Sequence, residues 1–253
     1  MTEPKYREAI NTALDRAARI WQKVEPELAN MHESLRKGIE YMSASLPSNI
    51  PDHKEVNPLI PEVDNFIAFV LDIRKSSEHL LQACSSSKVE RLERVLYEIT
   101  AINTIGSIVT NEKKGSITEF LGDGFLALFK VDENDNNTLY RPHNAAKEWL
   151  RVTKEIVNPI LAERYNLPPL HIGVGLAYSQ AIVTVVGHGD NLHPKALGEC
   201  VFRASKLSGG HDNVYFDRPL RLMWPKKKGS TMTFTKRKSN KHDLEFYTFD
   251  KKS

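Results

Sequence analysis

Cysteine is nearly absent. Cys84 and Cys200 are the two in 253 residues, and they have neither metal-ligand spacing nor the look of a disulfide framework. Long apolar runs are missing too: no stretch of about eighteen apolar residues exists, so no transmembrane helix and no membrane partner is expected. The first residues, MTEPKYREAINTALDRAARIW, are charged throughout and lack the apolar core of a signal peptide, which makes a reducing cytoplasm the expected compartment. Nor is there a large excess of one charge. Lys and Arg number 35 against 32 Asp and Glu, and the resulting +3 is too mild to argue for a nucleic-acid partner. What remains is an ordinary globular composition, 40% apolar, long enough for one large domain or a domain with an appendage.

Residues 4–43 carry apolar positions at helical spacing, among them Ala9, Leu14, Ala17, Ile20, Trp21, Val24 and Leu28, and read as one or two amphipathic helices. These would pack on the parent domain and help it dimerise. The Pro-rich, polar stretch SASLPSNIPDHKEVNPLIPEV shows no periodicity and reads as a connector. The expected division is therefore a helical segment with linker over 1–57 and a main domain over 58–253.

The main domain opens on FIAFVLDIR, an apolar run rich in β-branched and aromatic residues that reads as a strand buried on both faces, with Asp72 at its C-terminal end. Helix-start residues follow, Ser76 and Ser77 before Glu78, and that helix is expected to run to about Ile108. Next comes SITEFLGDGFLALFK, two strand-like runs joined by Asp123-Gly124, the dipeptide of a tight hairpin. A helix over about His143–Arg164 precedes Leu167-Pro168-Pro169. LHIGVGLAYS and AIVTVVGH are read as a second hairpin, followed by a helix over Glu199–Leu207 and a short strand NVYFD. The tail holds a basic stretch from Pro225–Lys228 to Lys236–Lys238, read as a solvated loop. Thr231–Thr235 and Leu244–Phe249 are expected to pair as a closing hairpin. This order gives an α/β (α+β) sandwich, an antiparallel-rich sheet with helices flanking it.

Asp72 and Asp123 each have a plain structural reading, one as a helix cap and the other as a turn former. Taken together, two carboxylates at strand ends with oxygen-only neighbours are what a Mg²⁺ or Mn²⁺ site needs. Gly173 and Gly175 are small residues in a strand, suited to close backbone approach. Gly187-His188-Gly189 is not a phosphate loop, since no helix N-terminus follows it. His188 and His193 are not needed as proton acceptors where metals activate a hydroxyl.

FVLDIRKSS, EFLGDGFLALF, HIGVGLAYSQAIVTVVGHGD and ALGECVFRASKL, in this order and spacing, resemble the motifs of the class III nucleotidyl cyclase domain, over roughly Val63 to Asp217. Within that family the chain most resembles the bacterial pyrimidine cyclases of Pycsar antiphage systems. The resemblance implies a ferredoxin-like core and a nucleoside triphosphate as substrate. It also implies two divalent cations, Mn²⁺ or Mg²⁺, held by Asp72, Asp123 and the Ile73 carbonyl. Ser76 and Ser77 would meet the phosphates at a helix start. Among Lys236, Arg237 and Lys238, one would hold the triphosphate. The family builds each site from two chains, so a homodimer is implied, with a separate effector reading the cyclic product. An antiphage second messenger, cUMP, is the expected output. A guanylate cyclase of ordinary signalling, a silent nucleotide-binding or dimerisation module and a polymerase palm are the competing readings.

Two family positions depart from the pattern. Where relatives carry an Asn and, four residues on, an Arg, this helix has Phe202 and Lys206. Lysine keeps the charge but loses the planar fork, and Arg203, one position off, points about 100° away on a helix. The base-reading pair of purine cyclases falls on Glu119 and Lys195, which matches neither Lys with Asp, expected for adenine, nor Glu with a small residue such as Cys, expected for guanine.

Overall fold

A computed structural model describes residues 45–76, 87–89, 91–135, 137–225, 232–239 and 244–251, with isolated positions between 15 and 23. The helices expected over 4–43 fall largely outside these residues, as do Ser77 and Cys84. The chain packs as two compact units, residues 1–64 with 180–198, and residues 65–179 with 199–253.

In the first unit β1 (Leu46–Ile50) and β2 (His53–Val56) form an antiparallel hairpin turned by Asp52 at φ 65°. This corrects the reading of the stretch as an aperiodic connector. Pro47 masks a strand pattern, yet an edge strand tolerates a residue without an N–H, and Pro51 belongs to the turn. His53 is held between two carboxylates, its Nε2 3.0 Å from Asp64 and its Nδ1 3.5 Å from Glu62. Hydrogen bonds to Asp64 and Glu62 raise its pKa to about 9.

The second unit is built on β3 (Glu62–Ile73), whose residues Phe66–Leu71 are all buried, as their unbroken apolar run requires. The hairpin of β4 (Ser116–Leu121) and β5 (Gly124–Lys130) lies alongside, β5 pairing antiparallel to β3 from Phe66↔Lys130 to Asp72↔Gly124. Beyond β3 come β6 (Ile172–Val186), β8 (Asn213–Asp217), β10 (Glu245–Lys251) and β9 (Met232–Lys238), giving the order β4-β5-β3-β6-β8-β10-β9. β6 and β8 run parallel, while β9–β10 closes the sheet as the hairpin expected from the sequence. Lys236, Arg237 and Lys238 lie within β9, not in a loop. All three side chains are exposed, toward the end of β9, while Phe234 nearer its start packs on the core.

β6 also corrects an expectation. The supposed hairpin within 170–188 is one continuous strand of 15 residues, held extended by pairing with β8 over Gly173–Leu176 and with the strand that follows it over Ile182–Val186. The reversal comes after Val186, where Gly187 and Gly189 take φ of 107° and 59°. In the first unit β7 (His193–Leu197) then returns along the far half of β6, from Val186↔His193 to Ile182↔Leu197.

Among the described residues, the second unit has α1 (Arg91–Glu112), α2 (Asn137–Val152), α3 (Asn158–Tyr165), α4 (Glu199–Leu207) and α5 (Arg218–Met223). α2 and α3 together replace the single helix expected over His143–Arg164. A wide turn, Thr153–Val157, separates them, with the Asn158 N–H reaching Thr153 O ahead of Pro159. Trp149 of α2 and Ile102 of α1 are fully buried, and Trp149 packs on Phe125, which stacks on Phe69 with ring centres 5.8 Å apart.

Both ring nitrogens of His143 are buried without a hydrogen-bond partner, in a box formed with Phe216, Trp224 and Phe249. Burial, helped by the charge of Lys147, pushes its pKa down to about 3. A histidine that resists its proton in the fold loses stability as pH falls from its ordinary 6.5 toward 3, since the unfolded chain takes up the proton first. His143→Phe is therefore expected to flatten the fall in melting temperature between pH 7 and pH 4. The variant should gain about 2 kcal/mol on the parent over that interval. Parallel curves for the two proteins would show that His143 does not titrate against the fold.

Candidate active site

β3 delivers Asp72 to one end of the sheet, and the β4–β5 turn brings Asp123 beside it. Two backbone features fix the meeting. The Ile73 N–H donates to Asp123 O at 2.9 Å. Gly124, opposite Asp72, comes so close to β3 that a Cβ there would lie 1.9 Å from Leu71 O. No other residue fits without separating the strands.

Each carboxylate has a near neighbour. The Arg74 guanidinium donates through Nη1 to Asp72 Oδ2, and the Ser76 hydroxyl donates to Asp123 Oδ2 at 2.5 Å. Arg74 follows Asp72 by two residues, and its own N–H donates to His171 O at 2.7 Å. Burial, then the charge of Asp123, pushes the Asp72 pKa up to about 6 despite the opposing Arg74. Two hard-oxygen donors crowded so that one resists ionisation fit a divalent cation of the Mg²⁺ or Mn²⁺ kind, which would relieve their mutual repulsion. Ile73, between them in the chain, is buried. Ser76 is half-buried with helical backbone, while Ser77 lies outside the described residues.

On α4 the three singled-out side chains have different fates. Arg203 is committed inward: Nε donates to Asp217 Oδ2 at 2.8 Å, Nη2 to Tyr178 O at 2.6 Å, and Nη1 to Glu199 Oε2. Asp217 is fully buried and caps α5 by accepting from Leu220 N at 2.9 Å. Burial raises its pKa against the pull of Leu220 N and Arg203. Withdrawing one member of such a buried pair strands the other at about 3–5 kcal/mol, so Arg203 belongs to the scaffold. Lys206 is exposed, and Phe202 is 71% exposed, an unusual place for a phenyl ring. The C-terminal end of α4 rests on β6 through Gly175, where a Cβ would lie 2.0 Å from Ala204 O.

Glu119 sits in β4 just past a bulge, since Ile117 faces Ala127 and Glu119 faces Leu126, leaving Thr118 as the extra residue. In the first unit Lys195 is half-buried on β7, opposite Thr184. Lys236 pairs with Glu245 at 2.5 Å across β9–β10. Thus Asp72, Asp123 and Ser76 meet, whereas Arg203 turns to Asp217.

Sequence reasoning passed over Arg74, although a cation two residues from Asp72, just past the strand end, was a usable signal. It also passed over His171, His211 and Asp212, which gather from distant parts of the chain with no motif to join them.

No family model matches the chain, and no curated protein matches it. Solved structures do. The adenylyl cyclase CyaB from P. aeruginosa superposes with a TM-score of 0.62 at 15% identity, covering 76% of this chain and 96% of that one. The guanylyl cyclase Cya2 gives 0.61 at 16%, covering 75% and 92%. The guanylate cyclase domain of RhGC from Catenaria anguillulae, solved in complex with GTP, gives 0.58 at 13%, covering 76% and 100%. The chain therefore has the fold of class III nucleotidyl cyclase cores. Among the described residues, no helix is long and apolar enough to cross a membrane.

Proposed function

We propose that this protein is a nucleotidyl cyclase that converts a nucleoside triphosphate, UTP by preference, to the 3′,5′-cyclic monophosphate and pyrophosphate. The observation that carries the reading is the meeting of Asp72 and Asp123 at the end of the central strand of a cyclase-type fold. In the reaction the 3′-oxygen forms a bond to its own α-phosphorus, the bond from that phosphorus to the bridging oxygen breaks with its electron pair leaving on pyrophosphate, and the hydroxyl proton passes to water. Divalent cations, when bound, supply an acidified hydroxyl and neutralise charge on the triphosphate. Asp72 and Asp123, with the Ile73 carbonyl, are the residues to hold them. By the family resemblance Ser76 and Ser77, at the helix start, would meet the phosphates. Because the Arg203 fork is occupied by Asp217 and Tyr178, Lys206 is left to meet the charge that develops during ring closure.

For the base, Glu119 accepts and Lys195 donates. Uracil offers an N3–H donor beside an O4 acceptor, and guanine an N1–H beside O6. Adenine and cytosine present the reverse, an amino donor beside a bare ring nitrogen. A mismatch strands a charge at about 1–3 kcal/mol, roughly tenfold in selectivity. Lys195 also takes space that a purine would need, which favours UTP over GTP. On this reading the enzyme is a cytoplasmic homodimer whose cUMP is read by a separate effector in antiphage defence.

The deciding measurement is a competition among all four nucleotides with Mn²⁺, following both pyrophosphate and cyclic product. UTP should lead. ATP or CTP leading would sink the Glu119–Lys195 argument, and GTP leading would leave the pair standing but overturn the pyrimidine choice. A second reading, a silent nucleotide-binding or dimerisation module, is favoured by Phe202, which presents an exposed ring where cyclases carry a polar residue. It predicts nucleotide binding with no product from any of the four.

A further inference from the structure

The geometry points to a second metal site, for a borderline transition metal of the Zn²⁺ class, formed by His171, His211 and Asp212. The three residues offer ligand atoms that all lie within 4.8 Å of one another. His171 Nδ1 stands 2.5 Å from Asp212 Oδ2, and His211 Nδ1 stands 3.4 Å from the same oxygen. The two imidazoles face each other with ring centres 4.3 Å apart. Two nitrogens thus converge on one carboxylate oxygen.

The backbone holds that oxygen in place. Asp212 adopts a left-handed φ of 49°, its N–H donates to Ile172 O at 2.8 Å, and its Oδ1 accepts from Ile172 N at 3.1 Å. One carboxylate oxygen is therefore committed to the start of β6, which leaves Oδ2 to turn toward the histidines. His171 is fixed from the other side, its carbonyl accepting from Arg74 N at 2.7 Å.

Ligand chemistry decides the class of ion. Two imidazoles and one carboxylate suit Zn²⁺ or a similar transition metal, whereas Mg²⁺ prefers all-oxygen surroundings. With bonds of about 2.0–2.1 Å, tetrahedral ligand atoms stand roughly 3.3 Å apart. The His211–Asp212 separation of 3.4 Å already meets this, and the His171–Asp212 separation of 2.5 Å must open by less than an ångström. Side chains 42% and 47% exposed have room for that movement. Three protein ligands leave a fourth position open to water. A bound ion would staple the start of β6 to the turn before β8, and this role does not depend on the cyclase reading.

The test is a calorimetric titration of the purified chain with Zn²⁺ in excess Mg²⁺, so that hard-oxygen sites are already filled, together with melting curves with and without Zn²⁺. One saturable equivalent and a raised melting temperature are expected. His211→Ala, at a side chain 61% exposed, should weaken binding by at least about tenfold and remove the melting shift while the metal-free melting temperature stays put. His171→Ala should do the same, and His193→Ala, on β7, should change neither. Absence of saturable Zn²⁺ binding, or binding unaltered in both His171→Ala and His211→Ala, would overturn the site and leave a histidine pair hydrogen-bonded to an aspartate.

Discussion

Asp72→Asn is expected to abolish cyclisation and at the same time to make the metal-free protein more stable. The loss should reach at least about a thousandfold in turnover, on the order of 4 kcal/mol of barrier, because under the proposed reading the variant withdraws a charged metal ligand from the reacting centre. The gain in stability follows from the site's own electrostatics. Asp72 has its pKa raised to about 6 by burial and by the charge of Asp123. A carboxyl whose folded pKa lies above its ordinary value supports the fold at low pH, and that support is lost as pH rises through about 6. At neutral pH the fold thus carries an unfavourable charge that an amide would remove. Solvent screens the half-buried group, so about 1 kcal/mol and a rise of a few degrees in melting temperature are expected. Mn²⁺ should raise the melting temperature of the parent and have little effect on the variant. Full turnover in Asp72→Asn, or a Mn²⁺ shift as large as the parent's, would refute the two-carboxylate site.

Mixing two dead proteins should restore activity. If each active site takes its metal carboxylates from one chain and its α4 cation from the other, Asp72→Ala and Lys206→Ala are both inactive as homodimers. Each heterodimer then contains one site with both defects and one with none. Random exchange makes half the dimers heterodimers, so roughly a quarter of the parent's sites return. Exposed Phe202, on the same helix as Lys206, is an apolar surface that a partner would cover. Recovery is read as cyclic product per mole of protein after co-refolding. Heterodimers that form and stay silent would place the whole site within one chain.

Much of the fold was legible because it rests on signals local in sequence. The unbroken apolar run of β3, the Asp-Gly turn of the β4–β5 hairpin and the amphipathic α4 each declare themselves within a few residues. β6 did not, because its length depends on pairing with two different partners and not on its own composition. The β1–β2 hairpin was hidden by Pro47, whose usual message is a loop and whose place here is a strand, and by Pro51, which marks the turn and not a connector. At the site, Asp72 and Asp123 were readable as strand-end carboxylates. The fate of Arg203 was not: which face of α4 meets Asp217 is set by how β8 leads into α5, well beyond any local pattern. The cluster of His171, His211 and Asp212 was beyond reach for the same reason.

The close approach at Gly124 has a consequence for how this sequence can drift. A side chain of any kind at position 124 meets the β3 backbone, so that position is closed by folding whatever the protein does. Asp123 differs, because it is held to Ile73 through its backbone carbonyl, which any residue supplies. In a large population of variants, abundance in the cell would filter position 124 strictly and position 123 only through its turn preference, whereas under the proposed reading selection for activity would filter position 123 strictly. Two adjacent residues of one turn would then keep separate records, one of the fold and one of the chemistry.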